Sequence, residues 1–222
     1  MSGTVQVVVM ARVPRPGSTK TRLEPMLGPA GCAQLQAALI ARTVAVACEA
    51  APGSVHVALD PPGSADEVGA LLPSGVAVFD QYGGDLGLRM GRALAQVHSE
   101  RGGPVVVIGT DIPTLTAKHL LAAGALLDGG ADAVFGPALD GGYYLAAVHR
   151  PQPALFDLDP AVWGGPTVLA ASLTAARAMR LRVSLLPRLR DLDTPADALA
   201  LLDEGELPVQ IERLLRARVG AA

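Results

Sequence analysis

The sequence predicts an α/β domain around a mostly parallel sheet of about seven strands, and three observations predict it. Short β-branched runs alternate with longer segments of helical period along the chain. The glycine-bearing and charged loops directly follow those runs. The 222 residues, 50% hydrophobic and 18% charged, suffice for one large core, and no window approaches the roughly 18 uninterrupted apolar residues of a membrane span. A single domain over residues 1–222 is therefore expected.

Taken in order, the first strand falls at residues 5–10, where VQVVVM runs into a proline-containing loop. A helix follows at 31–50, carrying Cys32 and Cys48 sixteen residues apart on nearly opposite faces, which suits neither a mutual disulfide nor a metal site. The second strand, 55–59, leads to a helix at 65–72 with Ser64 as its cap and Glu67 as the reciprocal partner. A strand at 76–79 precedes a helix at 86–99, capped by Asp85, whose stripe of Leu86, Met90, Leu94 and Val97 is core packing. A strand at 105–108 and a helix at 117–127 come next. Strands at 133–135 and 143–147 are joined through Asp140-Gly141-Gly142. After an irregular stretch to Pro166, a helix at 167–179, a strand at 182–185 and helices at 195–203 and 208–218 complete the chain, with Thr194, Pro195 and Asp197 marking a helix start.

Several function classes are excluded by composition. A net charge of −3 supplies no field for a nucleic-acid backbone, and 3% aromatic residues supply no stacking platform. The opening MSGTVQ lacks the basic and apolar regions of a secretory signal, so a cytoplasmic location is expected, with no membrane partner. His56, His98, His119 and His149 fall in or at the ends of regular elements, so no Ser-His-Asp arrangement is legible.

In open α/β sheets ligands gather at the carboxyl ends of strands. The loop after the first strand, ARVPRPGSTKTRL, holds Arg12, Arg15, Gly17, Ser18, Thr19, Lys20 and Arg22. Its cations suit a phosphate chain, and Lys20 stands out because the chain has two lysines against sixteen arginines. Neither a P-loop nor G-x-G-x-x-G is present: Pro14 and Thr19 stand where the P-loop needs glycine. In GTDIP, Asp111 lies just beyond a buried strand with Pro113 stiffening the turn, a natural place for a Mg²⁺ ligand. Asp80, after the third strand, is a candidate for a ribose or base contact. Asp140, Gly141, Gly142 and Tyr143 are candidates for the acceptor, with Asp140 also open to a metal role. Asp191 and Asp193 follow the last strand as candidate second metal ligands, and Pro195 rules out a D-x-D-x-T phosphatase loop.

These loops carry a family resemblance. P-x-P-G-x-x-K-T-R-L at 14–23, G-G-D-L-G-x-R-M at 83–90, G-x-D-x-P-x-L at 109–115 and G-P-x-x-D-G-G-Y-Y-L at 136–145 resemble a bacterial family assigned to the group-A glycosyltransferases. More distantly the chain is similar to small nucleotidyltransferases, including the guanylyltransferase that activates phospholactate. The likeness covers nearly the whole chain and implies the group-A (GT-A, nucleotide-diphospho-sugar transferase) fold, a twisted sheet with helices on both faces. VWGGPTV departs from it, with Pro166 where many relatives have Ser. The resemblance leaves nucleotidyl and glycosyl transfer open. The cationic first loop favours a Mg²⁺- or Mn²⁺-dependent nucleotidyltransferase, joining a nucleoside triphosphate to a small phosphorylated or carboxylated acceptor with release of pyrophosphate. Lys20, Arg22 and Asp111 are its expected catalytic residues. Arg12, Gly17, Ser18, Thr19 and Asp80 join the two cations in nucleotide binding, and Asp111 and Asp193 hold the metal. The alternatives are a glycosyltransferase using a nucleoside-diphosphate sugar and a non-catalytic nucleotide-binding protein.

Overall fold

The run QVVVMAR at Gln6–Arg12 is buried at every position but the last, so it cannot be a half-exposed edge strand. It is β1, an interior strand of the sheet. A computed structural model describes residues 4–219. Beyond β1 the order is α1 Glu24–Ala50, β2 Val55–Asp60, α2 Ala65–Val68, β3 Ala77–Asp80, α3 Leu86–Arg101, β4 Val105–Ile108, α4 Ala117–Asp128, β5 Ala133–Pro137 and β6 Tyr143–Val148. There follow α5 Pro153–Phe156, α6 Val168–Ala178, β7 Val183–Leu185, α7 Pro195–Glu204 and α8 Val209–Val219.

The strands lie in the order β3-β2-β1-β4-β6-β5-β7. All pairs are parallel except those of β6, which runs antiparallel to both β4 and β5. The Asp140-Gly141-Gly142 turn reverses the chain between β5 and β6. The chain steps from β1 out to β3 and then returns to the other side of β1 as β4. That reversal makes the β1/β4 seam the topological switch point, where a crevice opens outside the strand ends.

One face of the sheet packs Val7, Val9, Val57, Val106 and Ile108 against Ile40 and Val44 of α1 and Leu120 and Leu127 of α4. The other packs Val8, Met10, Val107 and Phe135 against Met90 and Leu94 of α3, Leu155 and Phe156 of α5 and Ala176 of α6. A third cluster sits outside α1, where Leu27, Leu35 and Leu39 meet Leu192, Leu201 of α7 and Ile211 and Leu215 of α8. α1 is therefore apolar on two sides. Its segment 21–50 could cross a membrane by length and composition, but 67% of its most apolar window is buried in this fold. The same third cluster draws the 190–194 segment against the loop after β1.

Two helix boundaries differ from expectation. Helical bonding starts at Glu24, but Gly28 breaks it with φ 67° and ψ 166°, and the continuous helix resumes at Pro29. The helix expected over 65–72 ends at Val68 and tightens into a 3₁₀ turn at Gly69–Leu71. Ser64 makes no capping bond, because Arg15 takes both capping groups: it donates to the Ser64 hydroxyl at 3.2 Å and pairs with the Glu67 carboxylate. Thr194 and Asp197 form the expected capping box, and Asp85 Oδ1 accepts from Leu88 N at 2.8 Å. Cys32 and Cys48 are free.

Candidate functional site

The loop after β1 turns its two distal cations toward the end of β4 and its proximal ones away. Lys20 takes the left-handed conformation, φ 51° and ψ 35°, which costs a non-glycine residue about 1–2 kcal/mol. That backbone turn aims the side chain inward, and it is only 4% exposed. Lys20 Nζ donates to Asp111 Oδ1 at 2.6 Å and to the Leu192 carbonyl at 2.6 Å, with Asp193 Oδ1 at 3.8 Å. Arg22 lies at the rim, 69% exposed, and its Nη1 donates to Asp193 Oδ2 at 2.8 Å. Leu192 N donates to the Asp111 carbonyl at 2.8 Å, so backbone as well as charge joins the two carboxylate-bearing loops.

A cleft of about 390 Å³ opens beside this cluster. Met10, Ala11, Met90, Val107 and Tyr143 give it apolar walls, with Lys20, Asp111 and Asp193 at one end and Asp60, Gln81 and Arg89 at the other. Gln36 of α1 braces the seam from behind. Its Nε2 donates to the Arg12 carbonyl and to Thr110 Oγ1, both at 3.2 Å. At the far end Asp60 Oδ2 is shared by Arg12 Nη2 at 3.1 Å and Arg89 Nη1 at 3.2 Å. Gln81 Nε2 donates to the carbonyls of Ala58 at 2.8 Å and Ala11 at 3.3 Å, tying β1 to β2.

Of the residues singled out from sequence, Arg12, Thr19, Lys20, Asp111, Tyr143 and Asp193 line this cleft and Arg22 borders it. Others do not line it. Gly17 and Ser18 sit in an exposed turn closed by the Ser18 hydroxyl on the Arg15 carbonyl. Asp80 accepts from Gly63 N at 3.0 Å and from the Tyr82 hydroxyl at 3.4 Å, which orients it toward the 61–63 turn. Asp140 spends Oδ1 on Gly142 N at 2.8 Å within its own hairpin turn. Gly141, at φ 93°, lies so close to Pro166 that an added Cβ would come within 2.0 Å of the Pro166 carbonyl oxygen. Gly141 thus lets Pro166 pack against the hairpin, and the Gly141 carbonyl accepts from Leu169 N at 3.1 Å.

Three groups at or beside the cleft titrate abnormally, among them Tyr144, whose phenol burial pushes up to about 12. Burial pushes the Asp191 carboxyl up to about 6, and the neighbouring Asp140, Asp197 and Asp193 charges add to the rise. Burial likewise pushes the Tyr143 phenol well up, so it stays a neutral hydroxyl. Gln36, Asp60, Arg89 and the Leu192 carbonyl were missed by sequence reasoning. Gln36 alone left a signal, a polar residue on an otherwise apolar helix face. Asp60 and Arg89 become visible only when β1, β2 and α3 are brought together.

A profile of uncharacterised proteins conserved in bacteria, DUF2064, matches residues 43–164, more than half of the chain. The chain belongs to the DUF2064 family. No curated protein matches it. Among solved structures, this DUF2064 protein is similar to a candidate nucleotide-diphospho-sugar transferase from Desulfovibrio desulfuricans G20, at 28% identity and a TM-score of 0.89, covering 99% of this chain and 96% of that one. It also shares its fold with Rv0371c from Mycobacterium tuberculosis H37Rv solved in complex with manganese, at 21% identity, TM-score 0.55 and coverage of 90% and 98%. A cytidylyltransferase from Leptospira borgpetersenii serovar Hardjo-bovis shows the same fold at 16% identity, TM-score 0.56 and coverage of 99% and 93%. The DUF2064 chain therefore has the nucleotide-diphospho-sugar transferase fold, shared by nucleotidyl- and sugar-transferring proteins.

Proposed function

We propose that this protein is a divalent-metal-dependent nucleotidyltransferase, which joins a nucleoside triphosphate to a small acceptor bearing a phosphate or carboxylate and releases pyrophosphate. The observation that carries this reading is the pairing of Lys20 and Arg22 with Asp111 and Asp193 across the β1/β4 seam. Pyrophosphate departs with several negative charges, and cations already fixed beside its path stabilise that charge in the transition state.

The residues present fit a hard cation. Asp111, Asp193 and the Leu192 carbonyl converge on one point, now marked by Lys20 Nζ, and all three offer oxygen. Among the described residues no group of three or more Asp, Glu, His or Cys could hold a metal by itself. That suits Mg²⁺ or Mn²⁺, which takes one or two carboxylates and completes its shell with waters and substrate phosphates. Of the second-ligand candidates, Asp193 shares the lysine with Asp111, whereas Asp140 is bonded within its turn. The Mycobacterium tuberculosis relative solved with manganese supports a metal role for this fold. When bound, the ion would neutralise phosphate charge during transfer.

The chain's own residues do the rest. Lys20 and Arg22 hold the outer phosphates, and Asp111 and Asp193 orient the charge opposite them. Met10, Ala11 and Val107 give the inner cleft an apolar wall against which a nucleotide can pack. An ionised acceptor needs no general base, so catalysis is positioning and electrostatics. The test is a panel of nucleoside triphosphates and nucleoside-diphosphate sugars with Mg²⁺ or Mn²⁺, monitored for pyrophosphate against nucleoside diphosphate. Pyrophosphate release supports nucleotidyl transfer; diphosphate release alone assigns glycosyl transfer instead. Lys20→Ala and Asp111→Ala should each lower the rate by about 10²-fold or more.

A further inference from the structure

The Lys20 ammonium stands on the same three oxygens that would receive the metal. Its contacts are 2.6 Å to Asp111, 2.6 Å to the Leu192 carbonyl and 3.8 Å to Asp193. At 4% exposure it is enclosed by them, so a divalent ion cannot share all three oxygens with the lysine left in place. An ammonium and a metal ion confined to one small oxygen cluster also repel each other. The left-handed backbone at Lys20 and the exposed turn at residues 15–18 place the residue on a loop anchored in the core by Val13, Thr19 and Leu23.

We propose that Lys20 is the resident counter-cation of this site: it fills the oxygen cluster of Asp111, Asp193 and Leu192 in the empty protein and yields it to a divalent ion. The displaced ammonium then turns to the phosphate chain. Metal without phosphate binds weakly, because it must expel the lysine into solvent, and metal arriving with a phosphate chain binds tightly, because the lysine gains a new partner. This inference rests on the metal role given to Asp111 and Asp193 above, and it holds for nucleotidyl or glycosyl chemistry alike.

The chain offers an internal control, since Lys20 and Lys118 are its two lysines and Lys118 is exposed. Reductive methylation followed by peptide mass spectrometry reads each one separately. Without metal, Lys118 should react fast and Lys20 slowly. Titrated Mn²⁺ alone should raise the Lys20 rate over the concentration range in which Mn²⁺ binds, followed by loss of the free-ion electron paramagnetic resonance signal, and leave Lys118 unchanged. Lys20→Met should bind Mn²⁺ about tenfold or more tightly than the wild type, within the usual range of coupling between two ligands. Bound Mn²⁺ with Lys20 still protected, or equal Mn²⁺ affinity in wild type and variant, overturns the proposal. So does a Lys20 that reacts as fast as Lys118 from the start. The labelling uses the wild-type chain and stands even if the variant folds poorly. None of these readings depends on turnover, so a negative pyrophosphate assay leaves them intact.

Discussion

Removing either partner of the Lys20–Asp111 pair deletes the same 2.6 Å contact, yet the two deletions should differ in cost. At an effective dielectric near 20, the attraction is about 6 kcal/mol at 2.6 Å, and that between Lys20 and Asp193 at 3.8 Å is about 4 kcal/mol. These gross figures are opposed by desolvation, and desolvation falls unevenly. Lys20 is 4% exposed, whereas Asp111 is 54% exposed and Asp193 36%. Asp111→Asn strands a buried ammonium on a carbonyl and one longer ion pair. Breaking a fully buried pair costs about 3–5 kcal/mol, and the surviving Asp193 contact and wet Asp111 reduce this to about 1–3 kcal/mol. Lys20→Met leaves two carboxylates that water can reach and puts a similar apolar stem in the same place, so its cost should stay within about 1 kcal/mol. Urea unfolding at pH 7 with EDTA measures both. With a slope of about 2 kcal/mol/M, Asp111→Asn should move the midpoint down by about 0.5–1.5 M and Lys20→Met by less than half of that. If Lys20→Met is as destabilising as Asp111→Asn, the ammonium is not the desolvated partner, and the physical account of the seam fails.

Other expectations concern the loops around the cleft. Gly141→Ala combines a left-handed backbone with a Cβ driven to 2.0 Å from the Pro166 carbonyl, whereas Gly17→Ala, at φ 76°, meets nothing within 4 Å. Thermal melts should therefore show a loss of about 1 kcal/mol for Gly17→Ala and about 3 kcal/mol or more for Gly141→Ala, and equal losses would refute the close approach. The folded protein holds the Asp191 proton up to about pH 6, while the unfolded chain gives it up near 4, so stability falls as pH rises between these values. Asp191→Asn should accordingly raise the melting temperature by a few degrees at pH 7.5 and not at pH 4, with the gain held near 1 kcal/mol because the group is half solvated. Arg22→Ala removes an exposed pair and should leave stability within about 1 kcal/mol, yet lower the transfer rate by about 10²-fold, which steady-state kinetics beside a melt will separate.

What was legible in the sequence follows from which forces act locally. β1 and β4 announced themselves because a strand buried on both faces must be a continuous β-branched run, and QVVVMAR and VVVI are such runs. Lys20 and Asp111 were legible for the same reason, being the charged residues that follow those two strands. Lys20 stood apart by type, but Arg12, Arg15 and Arg22 were alike. Only the folded chain shows Arg15 spent on Glu67, Arg12 on Asp60, and the other two turned to the seam. That division is decided by β2, α2 and the 190–194 segment, 48 or more residues away. The failed Ser64 cap has the same origin, since a local capping bond lost to a charged group arriving from another loop. Asp191 and Asp193 looked alike in LRDLDTP, but the folded chain sets Asp191 among Asp140 and Asp197 and pairs Asp193 with Lys20 and Arg22.

The distribution of charge within the cleft bears on which transfer it favours. A direct displacement by a sugar or other hydroxyl needs a base to take the hydroxyl proton, and a working base needs a lone pair not already committed to a cation. Among the described residues lining the cleft there is no histidine, and its carboxylates are Asp60, Asp111 and Asp193. Asp60 is held by two guanidinium groups, and Asp111 and Asp193 share the Lys20 ammonium. Each therefore already directs carboxylate oxygen at a cation. Asp191, whose carboxyl does hold a proton more readily, does not line the cleft. A phosphate or carboxylate acceptor arrives already ionised and asks only for cations to offset its approach to a phosphorus atom, and Lys20, Arg22, Arg12 and Arg89 supply them. Counting Arg22 at the rim, four cations face three carboxylates and each of those carboxylates is paired, an arrangement that, under the function proposed above, serves an anionic acceptor.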